Sequence, residues 1–201
     1  MNDCDLGIYY DNPNEASDMY LKWLLKDCEE NGISYEVCHN AVEWLTSTSK
    51  SELYLEPILD SWINSIKCNE HNVDSPSATA QGIYDYITEH YPDRAEIIAV
   101  IGRGLVGSQL IEQLIQYGYT VFEFNSKSDF HIMYKICASV ADIVVGLATQ
   151  EIFNEFECKY MDSVLIDSGN NFNTKNKLRC GKWTRQVIID RIKRLKEGAE
   201  I

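Results

Sequence analysis

The residues best placed to do chemistry are three glycines near the middle of the chain, spaced as G-x-G-x-x-G. Gly102, Gly104 and Gly107 follow the apolar run Ile97–Ile101, and apolar residues at helical spacing follow them as far as Tyr117. A buried strand, a tight turn and a helix in that order form the phosphate-binding turn of dinucleotide-binding domains. The first glycine permits the turn, the second lets the backbone approach a pyrophosphate, and the third allows the helix to pack closely on the strand. The sequence therefore predicts a dinucleotide site at 102–107, which also includes Arg103, Leu105 and Val106.

The end of the next predicted strand, 119–124, indicates which dinucleotide fits. In NAD-binding domains an Asp or Glu closes this strand and binds the ribose hydroxyls. Here the place falls on Asn125, which is followed by Ser126 and Lys127. A hydroxyl and an ammonium therefore stand where they could bind a 2′-phosphate. The pattern favours NADP over NAD, although Glu123 could serve NAD if the register of the strand differs.

Composition and charge limit the classes of protein to which the chain can belong. Its 201 residues are 45% hydrophobic and 24% charged, and no apolar run approaches the ~20 residues of a membrane-spanning helix. Seven cysteines without metal-binding spacing predict reduced thiols in the cytoplasm and no metal site. Residues 1–95 carry 18 acidic and five basic residues, whereas residues 96–201 are neutral. The acidic half argues against a nucleic-acid partner, and the lack of an apolar span argues against a membrane.

The hydrophobic pattern predicts strands and helices in alternation, which is typical of an α/β protein. Before the glycine turn we expect strands at 6–10 and 33–38 and helices at 15–30, 40–67 and 79–90, the last with Thr79 as its N-cap. After the turn we expect strands at 119–124, 142–147 and 163–167 and helices at 130–140, 150–156 and 184–196. This order predicts a Rossmann-type, doubly wound parallel sheet preceded by a smaller α/β domain.

Several short stretches match, in order, the motifs of one family. They are 11–13, 16–20, 26–33, 72–75, 79–83, 100–107, 125–128, 141–145 and 165–171. Together these stretches resemble the bifunctional methylenetetrahydrofolate dehydrogenase/cyclohydrolases, and the likeness covers nearly the whole chain.

The resemblance implies an NADP-dependent oxidoreductase of one-carbon metabolism, a homodimer whose small-molecule substrate is a reduced folate or a smaller relative. It implies a reduced folate-type domain at 1–78, on which the C-terminal helix 184–201 packs, and a dinucleotide domain at 79–183. Tyr20 would stack on the folate rings and Asp74 would bind the pterin. Arg103 and Ser126 would hold the 2′-phosphate of NADP.

The chain departs from this family where the cyclohydrolase reaction needs a catalytic lysine. That lysine follows the tyrosine by four residues, a position occupied here by Leu24. Lys22 and Lys26 flank it, but two residues along a helix turn a side chain by ~200°. The loop that covers the folate is reduced to 179–184. We therefore expect a dehydrogenase without cyclohydrolase activity. The alternatives are a non-catalytic dinucleotide-binding or interaction protein of the same fold, and a Rossmann reductase of an unrelated substrate.

Overall fold

The computed structural model describes residues 4–10, 15–40, 51–54 and 76–197. The chain divides into two compact units. The first draws its described residues from Met1–Ala78 and Arg185–Ile201, and the second is Thr79–Thr184. Within the described ranges, no helix has both the length and the apolar character needed to cross a bilayer.

The described residues form eight strands and six helices. The strands are β1 (Leu6–Tyr9), β2 (Tyr35–Cys38), β3 (Ser51–Tyr54), β4 (Ile97–Ile101), β5 (Thr120–Phe124), β6 (Ile143–Gly146), β7 (Val164–Asp167) and β8 (Leu178–Arg179). The helices are α1 (Glu15–Glu30), α2 (Ala78–His90), α3 (Leu105–Tyr117), α4 (Phe130–Ser139), α5 (Glu155–Lys159) and α6 (Gly181–Lys196).

The first unit contains a parallel sheet of three strands in the order β2-β1-β3. Leu6 of β1 lies opposite Tyr35 of β2 and Ser51 of β3. One face of α1 is apolar, and it packs on β1 together with the part of α6 that follows Thr184. The buried residues of this core are Leu6, Ile8, Leu24, Cys28, Ile33, Ala78, Ile188, Ile189 and Ile192.

The second unit contains a five-stranded parallel sheet in the order β5-β4-β6-β7-β8. Alternate residues of β4 pack on opposite faces of this sheet. Ile98 and Val100 join a core with α2 and α3, and Ala99 and Ile101 join a core with α4. The central strands β4 and β6 are apolar throughout because helices cover both faces of the sheet there. The predicted Rossmann-type, doubly wound α/β fold is confirmed.

The strand order predicts a ligand-binding crevice at the carboxyl end of β4. The chain leaves β4 for β5 on one side and then returns to β6 on the other, so the winding direction reverses at β4. In open α/β sheets, ligands bind where the winding reverses, beyond the carboxyl ends of the strands. The glycine turn lies at this end of β4.

Two of the element predictions differ from the structure. Within the stretch 40–67, predicted to be mostly helical, Ser51–Tyr54 is a strand that pairs with β1; residues 41–50 and 55–67 lie outside the described residues, so the prediction for them stays a prediction. The short helix expected at 150–156 begins instead at Glu155. Asn154 caps it in a reciprocal capping box with Glu157, and Ile152 and Phe153 donate backbone hydrogen bonds to the carbonyl of Asn171.

Two helices also begin earlier than expected. Helix α2 begins at Ala78, so Thr79 is inside the helix and is not its N-cap. Helix α6 begins at Gly181 and not at Thr184. The stretch 179–184, interpreted from sequence as a shortened loop, is therefore mostly the first turn of α6.

Candidate functional site

The turn after β4 has a backbone that only glycine adopts readily at its first position. Gly102 has a φ of 113°, in the region that side chains disfavour. A Cβ at this position would also lie 2.8 Å from the carbonyl carbon of Leu147, which follows β6. The Gly102 N–H donates to the carbonyl of Phe124 at 2.9 Å, which ties the turn to the end of β5.

The other two glycines have different surroundings. A Cβ on Gly107 would overlap the carbonyl oxygen of Gly102, so α3 packs directly against the turn. At Gly104, in contrast, no described residue beyond its chain neighbours has an atom within 4 Å of the position that a Cβ would take. Gly104 is the N-cap of α3, and in the described part of the chain no side chain caps the helix there. The first-turn amides thus lack a capping side chain, and backbone N–H groups in this position can bind a phosphate group.

The two residues inside the turn differ in exposure. Leu105 is exposed by 54%, whereas Val106 is half-buried and packs on the core shared by α2, α3 and the sheet. The accessible surface of the turn is thus formed by its backbone and by the side chains of Arg103 and Leu105.

A second turn, formed by residues 125–128, lies beside the glycine turn at the end of β5. Ile101 and Phe124 are partners in the parallel register, so the residues that follow β4 and β5 are neighbours. The Asn125 side-chain oxygen accepts from the Lys127 N–H at 2.9 Å, and the Ser128 hydroxyl accepts from the Asn125 N–H at 2.9 Å. These contacts shape the turn, and they leave the side chains of Ser126 and Lys127 exposed.

Arg103 forms an ion pair with Glu123, a residue of β5. The Nε of Arg103 lies 3.4 Å from Oε2 of Glu123, and the two side chains are 59% and 33% exposed. Phe122 and Phe124 pack on the α4 face of the sheet, so the intervening Glu123 projects to the opposite face, on which α3 packs. The glutamate therefore reaches the glycine turn without any change of register.

The loops after β6 and β7 pack tightly against each other at the same edge of the sheet. The Ser168 hydroxyl donates to the carbonyl of Gly146 at 3.1 Å. A Cβ on Gly169 would lie 2.5 Å from the carbonyl oxygen of Ala148. The side-chain amide of Asn171 donates to the carbonyls of Ala148 and Gln150, both at 2.7 Å. These contacts fix the wall of the crevice on the side opposite β5.

A buried ion pair at the end of β7 holds this wall, and sequence reasoning missed it. Lys177 Nζ lies 2.5 Å from Oδ2 of Asp167, with side chains 9% and 1% exposed. The same ammonium donates to the carbonyl of Phe172 at 2.6 Å. The other carboxylate oxygen accepts from the N–H groups of Gly169 and Asn171. The one feature of the sequence that pointed to it is Asp167, a carboxylate at the end of an apolar strand. No local pattern indicates that its partner is Lys177, ten residues later.

A cavity of about 780 Å³ opens beside this ion pair. Asn170, in the left-handed region with a φ of 62°, contributes to its lining. The Asn170 side-chain oxygen accepts from Arg179 at 3.0 Å. The cavity is lined by both acids and bases, including Glu151, Glu155 and Lys175.

The residues expected to bind folate lie in the first unit or outside the described residues. Tyr20 is half-buried and packs against the core of the first unit. The Arg185 guanidinium lies 5.8 Å from the centre of the Tyr20 ring and pairs with Asp27 at 2.5 Å. Leu24, at the position of the family lysine, is fully buried in the same core. Asp74 lies outside the described residues, so its role stays a prediction.

Comparison with known proteins finds similarity in structure and none in sequence. No family model matches the chain, and no curated protein sequence matches it significantly. The methylenetetrahydrofolate dehydrogenase-cyclohydrolase of Trypanosoma brucei, solved with NADP and an inhibitor, is 14% identical at a TM-score of 0.73, covering 97% of this chain and 87% of that one. The bifunctional enzyme of Thermoplasma acidophilum is 18% identical at a TM-score of 0.70, covering 98% and 89%. The NAD-dependent enzyme of Saccharomyces cerevisiae is 15% identical at a TM-score of 0.72, covering 96% and 87%.

The TM-scores of these matches show that the fold is shared, and at sequence identities this low they show nothing beyond the fold. A more distant match, a chorismate mutase/shikimate 5-dehydrogenase fusion protein from Clostridium acetobutylicum, is 10% identical at a TM-score of 0.55. Because one fold supports different reactions, the function of this chain depends on the residues at its own site.

Proposed function

We propose that the chain is an NADP-dependent oxidoreductase of the methylenetetrahydrofolate dehydrogenase type without cyclohydrolase activity. The observation that carries the proposal is the open, uncapped N-terminus of α3 at Gly104, at the point where the strand order reverses. The fold shared with folate dehydrogenases supports the oxidoreductase class.

The backbone amides of residues 105–107 would hold the pyrophosphate of the dinucleotide. Arg103, Ser126 and Lys127 would bind the 2′-phosphate, and Asn125 would shape the turn that presents them. The nicotinamide supplies the hydride chemistry when it is bound. The work of the chain is to bind and orient the cofactor and the substrate, and to exclude water between them.

Leu24 is the reason why we expect no cyclohydrolase activity. A lysine at this position would place an ammonium in an apolar core with no exposed surface, where a charge is strongly disfavoured. The core that Leu24 shares with Cys28 and Ile188 is formed by apolar side chains. The first unit would then bind the substrate through Tyr20 and Asp74 and take no part in hydrolysis.

The second candidate function is a dinucleotide-binding protein without catalysis. The contact between Arg185 and the Tyr20 ring favours it, because the guanidinium lies over a ring that a pterin would otherwise stack on. The two candidates share the dinucleotide site and differ in substrate binding and turnover.

One experiment tests both candidates. The protein is titrated with NADP and NAD by calorimetry, and reduction of NADP by methylenetetrahydrofolate is then followed by absorbance. We expect NADP to bind more tightly than NAD and to be reduced. NADP binding without reduction would favour the non-catalytic protein, and the absence of binding would refute both candidates.

The Gly104→Asp variant links any binding to the turn. A Cβ at Gly104 meets none of the described residues beyond its chain neighbours within 4 Å, so the fold should tolerate the substitution. Its carboxylate would repel a pyrophosphate and should abolish binding. Ser139→Asp is the matched control, because it adds the same charge on an exposed residue at the C-terminal end of a different helix, α4. Equal loss of binding in the two variants would contradict the assignment.

A further inference from the structure

We propose that Glu123 sets the choice between NADP and NAD by competing with the 2′-phosphate for Arg103. The inference rests on the proposed function and adds a specificity-determining residue to the same site. Its basis is the ion pair between the glycine turn and β5, which sequence reasoning did not expect.

The position of Glu123 fits this role. It is the last residue of β5 to project to the α3 face, and its carboxylate lies 3.4 Å from Nε of Arg103. An acid at this end of the second strand is the group that accepts hydrogen bonds from the ribose hydroxyls of NAD. Here the same acid also neutralises the cation that the 2′-phosphate of NADP would use.

The two dinucleotides therefore make opposite demands on one pair of side chains. NAD leaves the pair intact, since the Glu123 carboxylate accepts from the ribose hydroxyls while Arg103 remains its counter-ion. NADP brings a phosphate monoester that carries about −1.5 to −2 charges near neutral pH. This group repels Glu123 and must draw Arg103 away from it. Glu123 thus lowers a preference for NADP that Ser126 and Lys127 would otherwise make strong.

The ion pair between Arg103 and Glu123 contributes little to the stability of the fold. Both side chains are partly exposed, and ion pairs in such surroundings contribute little to folding stability. Altering Glu123 should therefore change the binding of dinucleotides without unfolding the protein.

The test is the ratio of NADP affinity to NAD affinity, measured by calorimetry on the full chain. In Glu123→Gln we expect this ratio to rise by about tenfold or more, which is the size of one charge-assisted contact. In Arg103→Ala the ratio should fall. In the Arg103→Ala background, Glu123→Gln should raise the ratio by less than it does in the unaltered protein, because the cation that it releases is absent and only its direct effects on the two dinucleotides remain. Glu112→Gln removes one exposed acid from α3 and is the matched control.

Several results would overturn the inference. An unchanged ratio in Glu123→Gln, with both dinucleotides still bound, shows that the carboxylate does not set the preference. A rise that is as large in the Arg103→Ala background as in the unaltered protein shows that Glu123 does not act through Arg103. If Glu123→Gln does not fold, Glu123→Thr removes the carboxylate with a residue suited to a strand and must give the same rise. If the unaltered protein binds neither dinucleotide, the proposed function itself fails, and the inference fails with it.

Discussion

Replacement of Lys177 by methionine should destabilise the second unit strongly, because it leaves a buried carboxylate without its counter-ion. The Asp167 side chain is 1% exposed, and its Oδ2 lies 2.5 Å from the Lys177 ammonium. Methionine keeps an unbranched apolar stem and removes the charge. Removing one partner of a buried ion pair typically costs ~3–5 kcal/mol.

The structure places the expected loss near the lower end of that range. After the substitution, the N–H groups of Gly169 and Asn171 still donate to Oδ1 of Asp167, at 3.1 and 2.9 Å. These bonds stabilise the remaining carboxylate, so we expect a loss of ~3 kcal/mol. Adding Asp167→Asn removes the unpaired charge, and the double variant should be more stable than Lys177→Met alone.

The free energy of unfolding is measured in urea by circular dichroism, with hydrogen exchange at Gly169 and Asn171 reporting on the loop after β7. Lys175→Met is the matched control, since Lys175 is an exposed lysine of the same loop. A loss no larger than that of Lys175→Met would refute the reasoning. A double variant less stable than Lys177→Met would show that the charge of Asp167 is not what the loop depends on.

Three further predictions concern other parts of the chain. Gly107→Ala should lower the melting temperature and abolish dinucleotide binding, because its Cβ overlaps the carbonyl of Gly102; unchanged melting would contradict the packing argument. Leu24→Ala should lower the stability of the first unit to urea by ~2–5 kcal/mol, as expected for a fully buried leucine, and a near-neutral result would show that the core collapses around it. Burial tends to raise the pKa of Asp5, but hydrogen bonds from Lys196 and Ser34 outweigh it and hold the pKa at about 2. Because this pKa is depressed, the carboxylate stabilises the fold fully above pH ~4 by ~2 kcal/mol, and this is lost as the pH falls towards 2. Asp5→Asn should lower the free energy of unfolding at neutral pH and make it fall less between pH 4 and pH 2. Urea titrations at several pH values test this, and an unchanged fall in the free energy of unfolding below pH 4 would contradict it.

The features that the sequence predicted well are those decided by local pattern. Helix α1 and strand β4 match their predicted bounds residue for residue, since the spacing of apolar side chains along each one is a local property. The turn at Gly102 is likewise local, because its φ requires glycine. The capping box of Asn154 and Glu157 is also a local pattern, Asn-x-x-Glu, but the apolar residues Ile152 and Phe153 before it have the spacing of a helix and bind the loop after β7 instead.

The features that the sequence did not predict depend on partners that are distant along the chain. Strand β3 exists as a strand because it pairs with β1, more than 40 residues earlier. The Arg103–Glu123 pair requires the register between β4 and β5 and the face of the sheet on which each side chain lies. The pair of Asp167 with Lys177 requires the path of an irregular loop. Periodicity reports on none of these.

The composition of the first unit has a consequence for folding during synthesis. Ile188, Ile189 and Ile192 are buried in the same core as Leu6 and Ile8 of β1. These isoleucines leave the ribosome only after the whole of Thr79–Thr184 has been made. The second unit is continuous in sequence and can fold as it emerges. The apolar residues of β1, in contrast, stay partly exposed until the residues of α6 that cover them have been synthesised. We therefore expect the second unit to complete its folding before the first unit, although translation of the first unit begins earlier.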